Sequence, residues 1–133
     1  MKQEDRELLL KDLSARLPYG VICTGKYIEF DDNDNLIFID ATGELTQVHF
    51  TKNCCYLNVG LMHECKLETV KPYLRPMSSM TEEELKEYSK VSNSEDAGMW
   101  TDLDWLNEHH FDYRGLIEKG LAIAVKEENN PYK

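Results

Sequence analysis

The sequence has no apolar run long enough to cross a bilayer. Its longest runs, residues 8–10 and 121–125, fall far short of the roughly 20 residues that a transmembrane helix needs. Residues 1–5 have none of the features of a secretory signal peptide. We therefore predict a cytoplasmic protein with no membrane span and no membrane partner.

Cysteine is scarce and has no pattern typical of a disulfide framework or of a zinc site. The four cysteines are Cys23, Cys54, Cys55 and Cys65, and two of them are adjacent. Neighbouring residues on a strand point to opposite faces, so Cys54 and Cys55 are badly placed to bind one metal. A zinc site that adds His63 stays an alternative. The pattern favours reduced, buried thiols, with no metal and no cofactor.

The signatures of common enzymes are also missing, namely G-x-S-x-G, the P-loop, G-x-G-x-x-G and H-E-x-x-H. A cysteine nucleophile would need Cys54 or Cys55 within hydrogen-bond reach of His49, His63 or His109. Nothing in the spacing brings such a pair together. We therefore interpret the protein as non-enzymatic.

Basic residues are outnumbered, since 15 lysines and arginines face 25 aspartates and glutamates, for a net charge of −10. A polyanion repels a nucleic-acid backbone unless a basic groove intervenes, and the sequence shows no such groove. We therefore expect no direct binding of nucleic acid. Residues 82–112 are the most acidic segment, with ten acidic residues against Lys86 and Lys90.

What is present is the composition of a globular domain, with 41% hydrophobic and 30% charged residues in 133 positions. A chain of this length buries roughly two-thirds of the surface that it exposes when unfolded. No internal repeat and no long linker divides it. We predict a single α+β domain over residues 1–133.

The first segment, residues 1–18, is predicted to be an amphipathic helix. Leu9, Leu13 and Leu17 recur at i, i+4 and i+8, which places them on one face. Pro18 then ends the helix, because its ring and its missing N–H do not fit a helix interior.

Residues 19–70 are predicted to form an antiparallel meander, because the apolar period changes to two and turn residues recur. Residues 31–35 and 41–43 supply the turns. The strands between them lie at 21–24, 27–30, 36–40 and 45–50, followed by apolar alternation from Cys55 to Leu67. Strands this short indicate a small curled β-meander or SH3-like barrel.

The segment 31–42 imitates a calcium-binding loop only in part. Asp31, Asn33 and Asn35 match its first three ligand positions, but Leu36 stands where glycine is required and Thr42 where glutamate is required. A hairpin tip is the favoured interpretation.

Residues 71–126 are predicted to hold two to three short helices and a returning strand. Thr81 and Glu84 form a capping box at the start of one helix. A second helix from Thr101 would present Leu103, Leu106 and His110 on one face.

The carboxyl-terminal part of that segment has its own signals. Asp112 can cap a last short helix, which Gly120 would end in a left-handed conformation. Residues 121–125 should return as the final strand, and residues 127–133 should form a frayed tail.

The densest cluster of functional side chains lies at residues 108–114. In the structural interpretation, His110 is a core or helix-end histidine, Asp112 is a cap and Arg114 pairs with a carboxylate. In the functional interpretation, Arg114 and His109 bind a phosphate while Tyr113 or Phe111 stacks on a base. Tyr73 and Arg75 could complete such a pocket; alternatively, the prolines of residues 71–76 only fix an extended crossing between barrel and helix. The candidate binding residues are His109, His110, Tyr113, Arg114, Tyr73 and Arg75.

Three blocks together resemble a known family: residues 8–21 (LLLKDLSARLPYGV), 71–81 (KPYLRPMSSMT) and 104–122 (DWLNEHHFDYRGLIEKGLA). The family consists of short uncharacterised proteins of gut Bacteroidetes and of their phages and mobile elements. The resemblance covers about a third of the chain and implies a phage or mobile-element accessory role. It transfers no catalytic residue.

Three hypotheses about function follow. The leading one is a non-enzymatic binding module that presents residues 109–114 to a host or phage protein. The second is a DNA mimic, in which the carboxylates of residues 82–112 imitate phosphates and block a DNA-binding protein. The third is sequestration of a small nucleotide by Arg114, His109, Tyr73 and Arg75.

Overall fold

The structure is a computed structural model that describes residues 1–50, 55–60, 63–93 and 102–133. The helices are α1 (Gln3–Arg16), α2 (Glu82–Asn93) and α3 (Asp102–Glu108). The strands are β1 (Ile22–Phe30), β2 (Leu36–Phe50), β3 (Cys55–Val59), β4 (His63–Lys66), β5 (Lys71–Pro76), β6 (Phe111–Asp112) and β7 (Ile123–Ala124). Short 3-10 turns lie at Leu17–Tyr19, Leu67–Thr69, Met77–Ser79 and Glu127–Asn129.

Helix α1 packs its leucine face on the sheet, as predicted. Leu9 and Leu13 are fully buried in the main core. The α-helix ends at Arg16, and Pro18 lies in the 3-10 turn that follows, where its missing N–H is tolerated. Tyr19 closes that turn, and its hydroxyl donates to Asp104 Oδ1 at 3.1 Å.

The β1–β2 hairpin is the longest paired unit of the sheet. Its register runs without interruption from Ile22 opposite Glu44 to Phe30 opposite Leu36. The predicted tip at residues 31–35 is confirmed, because the Asp31 carboxylate accepts the backbone N–H groups of residues 33 and 35 at 2.9 and 2.8 Å. The second predicted turn, at 41–43, is wrong. Those residues pair with β1, and β2 continues through them.

Strand β2 belongs to both halves of the sheet. Its first part pairs with β1 and its second part pairs with β3, with a bulge between Leu45 and Gln47. Gly43 lies at this change of partner, where a Cβ would come within 3.1 Å of the Gly60 Cα. The close approach of two backbones is what requires glycine here.

The α+β class is confirmed, with an N-terminal helix, a sheet and further short helices. The strand order is β4-β3-β2-β1-β5-β6, and β7 also pairs with β5. The sheet is open, so the prediction that it curls into a barrel is not what the chain forms. It is also mixed, because β6 and β7 both pair with β5 in parallel. Parallel partners arrive from distant sequence, which a local period of two cannot reveal.

Helix α2 begins with the predicted capping box. The Thr81 hydroxyl accepts the Glu84 N–H, and the Glu84 carboxylate accepts the Thr81 N–H, both at 3.1 Å. The predicted face of α3 is confirmed at Leu106, which is buried together with the flanking Trp105, and is wrong at Leu103, which is largely exposed. Thr101, where this helix was predicted to begin, lies outside the described residues.

The carboxyl-terminal segment has less regular secondary structure than predicted, and its last residues are hydrogen-bonded to the sheet instead of being frayed. The Asp112 carboxylate accepts the N–H groups of Leu116 and Ile117, both at 3.0 Å, as a cap does, but residues 116–120 form a turn and no helix. Gly120 adopts the expected positive φ of 74°. The tail is docked instead of frayed, because the Tyr132 hydroxyl accepts from Ile22 N at 3.0 Å and donates to the residue 73 carbonyl at 2.8 Å.

Two apolar clusters hold the fold together. The larger lies between α1 and the sheet, and the smaller is built on Trp105, Leu106 and Phe111 against α2. Within the described ranges, no helix combines the length and the apolar character needed to span a membrane.

Candidate functional site

The six predicted site residues gather around β6. The guanidinium groups among them are engaged within the protein, whereas His110 Nδ1 is buried without a hydrogen-bond partner among the described residues. Arg114 Nε donates to Asp12 Oδ1 at 3.1 Å, and Arg114 Nη2 donates to the Tyr113 hydroxyl at 3.1 Å. The Tyr113 hydroxyl in turn donates to Asn107 Oδ1 at 2.8 Å. These contacts link α1, α3 and the segment after β6 into one network.

A buried ion pair lies at the centre of this network. Asp12 and Arg16 are both completely buried, and Arg16 Nε donates to Asp12 Oδ2 at 2.8 Å. Arg16 Nη2 also donates to the Phe111 carbonyl at 2.6 Å. With Arg114 on its other oxygen, the Asp12 carboxylate balances two guanidinium groups. The sequence did contain a signal for this pair, since Asp12 and Arg16 are four residues apart on the flank of the leucine stripe.

Arg75 is likewise engaged. Its two terminal nitrogens donate to the two carboxylate oxygens of Glu84, each at 2.7 Å. Its guanidinium also lies over the Phe111 ring, with Cζ 4.1 Å from the ring centroid. The Arg75 guanidinium, together with hydrogen bonds from Thr81, lowers the pKa of Glu84 to about 2.

The two histidines have different roles. His109 Nδ1 donates to the Trp105 carbonyl at 2.9 Å, and its ring stacks on the indole at 4.0 Å. His110 stacks on Tyr132 at 3.9 Å and adopts a positive φ of 64°. Burial, with the nearby charge of Arg16, lowers the pKa of His110 to about 4. At neutral pH the His110 ring is therefore uncharged and unsuited to anion binding.

Tyr73 approaches the cluster through its backbone, since its carbonyl accepts from Tyr132. The six candidate residues therefore lie around β5 and β6. The structure assigns the positive charges of Arg75 and Arg114 to internal carboxylates, and it places His110 against an aromatic ring. The geometry is that of a structural network that fastens α1, α2 and α3 to one edge of the sheet.

The carboxylates of residues 82–112 are also partly engaged. Glu84 pairs with Arg75, Asp104 accepts from Tyr19, and Asp112 caps the following turn. Burial and the Asp104 hydrogen bond raise the pKa of Tyr19, which keeps that hydroxyl a donor. Glu95 and Asp96, which also belong to this acidic segment, lie outside the described residues. The number of carboxylates that could face a partner is therefore smaller than the composition indicates.

The described residues contain no cluster of three or more potential metal ligands. Cys23 and Cys65 are free and buried, and burial raises the pKa of both thiols. Thiols that stay protonated in this way are poor nucleophiles. Cys54 and the Cys55 side chain, which the zinc and nucleophile hypotheses also invoke, lie outside the part of the chain that is described.

An exposed apolar face on the β1–β2 hairpin was missed by the sequence analysis. Ile28 pairs with Phe38, and Phe30 pairs with Leu36, so all four side chains project from the same face. Each exposes between 43% and 68% of its surface. The signal was available in the run Leu36-Ile37-Phe38-Ile39, which is apolar on both faces of its strand. A strand with one solvated face alternates instead.

A groove runs beside this face, with a volume of about 410 Å³. Its walls come from β1, β2, β4 and the turn after β4, and its lining residues are Lys26, Tyr27, Ile28, Phe38, Glu64, Lys66 and Thr69. The groove joins apolar surface to two lysines and one glutamate, and Lys26 Nζ lies 3.4 Å from Asp40 Oδ1.

The chain was compared with protein-family models, with curated proteins and with solved structures, and nothing matched in any of the three comparisons.

Proposed function

We propose that this protein is a non-enzymatic protein-interaction module whose contact surface is the apolar face of the β1–β2 hairpin. The observation that carries the proposal is the exposure of Ile28, Phe30, Leu36 and Phe38 side by side on that face. We call these four residues the hairpin face.

The size of the hairpin face supports a binding role. Aromatic side chains carry about 150–250 Å² of surface each, so four half-exposed apolar side chains present on the order of 500 Å² together. Soluble monomers rarely expose contiguous apolar patches larger than a few hundred Å², and such patches commonly mark interaction sites. Single exposed apolar residues would need no explanation, but four that adjoin do.

The state of residues 109–114 also supports this choice of surface. Arg114 and Tyr113 are bound to Asp12 and Asn107, so capturing a partner with them would first require those internal bonds to break. The hairpin face has no such competition, because its side chains are apolar. We therefore assign the contact surface to the hairpin.

The partner that the sequence resemblance implies is a protein of the host or of the phage. The DNA-mimic and nucleotide hypotheses stay predictions. They are less favoured, because Glu84 and Arg75 neutralise each other and Arg114 pairs with Asp12. The uncharged hairpin face suits neither a nucleotide nor a DNA-binding protein, because both are recognised mainly through charge.

Photo-cross-linking in cells tests the proposal. A photoreactive phenylalanine analogue at Phe38 should form a covalent adduct with another polypeptide on irradiation. The same analogue at Leu85, which is 54% exposed on α2 and outside the hairpin face, is the matched control and should not. Absence of any adduct from Phe38, or equal adducts from both positions, would contradict the proposed function.

A further inference from the structure

The hairpin strand β1 has a free edge beside the hairpin face. On the side away from β2, β1 pairs with β5 only at Cys23 and Thr24. At the next position on that side, both backbone groups of Lys26 meet the Thr69 hydroxyl, which accepts from Lys26 N at 3.2 Å and donates to Lys26 O at 3.4 Å. Beyond Lys26, no strand of the described ranges pairs with this edge.

The peptide groups of Ile28 and Phe30 face the same way as those of Lys26. Alternate residues of an antiparallel strand direct N–H and C=O to the same side, and residues 26, 28 and 30 alternate. Their free groups lie along the groove that Ile28 and Phe38 line. An unpaired edge of this kind is a template for one more strand.

The lining of the groove defines the chemistry of that strand. Ile28 and Phe38 require apolar side chains. Lys66 favours an acidic one, as does Lys26, which also pairs with Asp40 at 3.4 Å, whereas Glu64 in the same lining does not. Lys71 adds a third cation, since it pairs with Thr24 at the point where β5 leaves the edge. The occupant must therefore be extended, apolar and acidic at one end.

The hairpin of this chain has that chemistry itself. Phe30 and Leu36 flank a tip that carries Asp31, Asp32 and Asp34. If two hairpins lie antiparallel, edge to edge, the acidic tip of each comes beside the lysines of the other. Such a contact is self-complementary, as a two-fold axis requires.

We infer that a second copy of this chain pairs with the free β1 edge beside the hairpin face, with the two β1 edges antiparallel and the two hairpin faces adjoining on one side of a continuous sheet. The inference rests on the proposed function and names a partner of the same hairpin. Edge pairing buries the strand edge and the adjoining sides of Ile28 and Phe30, which is less than the roughly 800 Å² per partner of a standard interface. A dimer of this size dissociates on dilution.

The unpaired N–H and C=O groups of Ile28 and Phe30 determine which residues of the two β1 strands lie opposite each other. With Ile28 opposite Phe30 of the other copy, the four groups on each edge bond in two reciprocal pairs. Glu29 of one copy then lies opposite Glu29 of the other, on the face of the sheet away from Ile28, where the like charges disfavour pairing. Glu29→Gln is therefore expected to strengthen the dimer.

Sedimentation velocity over a hundredfold range of protein concentration tests the inference. The wild-type protein should shift from monomer to dimer as concentration rises. Ile28→Ser with Phe38→Ser should stay monomeric, whereas the control Leu85→Ser should dimerise like the wild type. A wild-type monomer at every concentration, or a dimer that the double variant retains, overturns the inference.

A charge exchange tests the antiparallel arrangement. Asp32→Lys and Lys66→Glu should each weaken the dimer at least tenfold, and the protein carrying both should recover, because the exchanged charges meet across the two-fold axis. Failure of the combined variant to recover, or a Glu29→Gln protein that dimerises no better than the wild type, overturns the proposed pairing.

The cross-linking experiment separates this inference from the proposed function. An adduct at twice the chain mass of 15.5 kDa supports both. An adduct with a different protein, together with a monomer in sedimentation, overturns the second copy as occupant and leaves the interaction module standing.

Discussion

Arg75 and Glu84 meet through two parallel hydrogen bonds of 2.7 Å, which fasten the end of β5 to the first turn of α2. The Glu84 carboxylate simultaneously closes the capping box with Thr81. One side chain therefore holds a strand, a helix start and, through the stacking of Arg75 on Phe111, the second core cluster.

We expect Glu84→Gln to lower the free energy of unfolding by about 1–3 kcal/mol at pH 7, because a paired carboxylate with a pKa of about 2 is lost. The folded-state pKa lies below the usual 4.5, so the stabilisation is complete above pH 4.5 and is lost as pH falls through about 2. Urea denaturation at pH 7 and pH 3 measures this. Gln still supports a capping box, and Glu83→Gln in the same turn is the control. An equal difference at both pH values would contradict the assignment.

Asp12→Asn should cost about 3–5 kcal/mol, because it leaves the buried Arg16 guanidinium without its counter-charge. Replacing both partners, as Asp12→Leu with Arg16→Met, should recover part of the loss. Glu4→Gln on the exposed part of α1 is the control. Chemical denaturation of the four proteins measures these differences, and an Asp12→Asn protein within about 1 kcal/mol of the wild type would show that the network is not what holds α1.

His110 makes stability depend on pH in a separate window. Its folded-state pKa of about 4 lies below the usual 6.5, so the unfolded chain binds the proton more readily between these values. Stability is therefore complete above pH 6.5 and falls as pH drops towards 4, with a loss of about 2 kcal/mol at pH 5. His110→Asn should remove this dependence, since asparagine tolerates the positive φ and does not titrate. If the variant retains the full loss between pH 7 and pH 5, another group is responsible.

Tyr132→Phe removes the hydroxyl that joins Ile22 N to the Tyr73 carbonyl. Two backbone groups then lose their partner, and we expect a loss of about 1–3 kcal/mol in the free energy of unfolding. Tyr73→Phe is the matched control, because Tyr73 contributes its carbonyl and not its hydroxyl to this contact. Thermal unfolding of the three proteins is the measurement, and equal midpoints would argue against an attached tail.

The features that could be predicted from the sequence are local. The leucine spacing of α1, the capping box of Thr81 and Glu84 and the turn at Asp31 each depend on side chains at most eight residues apart. The physical cause is contained within a few residues, so a single sequence is sufficient.

Features set by distant partners could not be predicted. Residues 41–43 have the composition of a turn, yet pairing with β1 makes them strand. In α3, only seven residues long, Trp105 faces the core and Leu103 does not, because the contact with Tyr88 and Phe111 decides the phase. Two helical turns contain too few residues to fix a face by periodicity.

The candidate site divides in the same way. The hypothesis of a pocket allowed Tyr73 and Arg75 to lie beside residues 109–114. The structural interpretation expected a carboxylate partner for Arg114, but it could not identify Asp12, which lies 102 residues away in the chain. The hairpin face was not predicted, because its exposure depends on which other elements pack on the hairpin. The sequence alone does not show how far along the hairpin that packing extends.

Strand β2 passes without interruption from the hairpin into the half of the sheet that packs against α1 and the core. A molecule docking on the hairpin therefore meets backbone that is already ordered, and the conformational entropy that a flexible loop would lose on binding has been lost during folding. Association at this surface is then limited by orientation and not by rearrangement, so changes to the apolar side chains should alter how long a complex lasts more than how fast it forms.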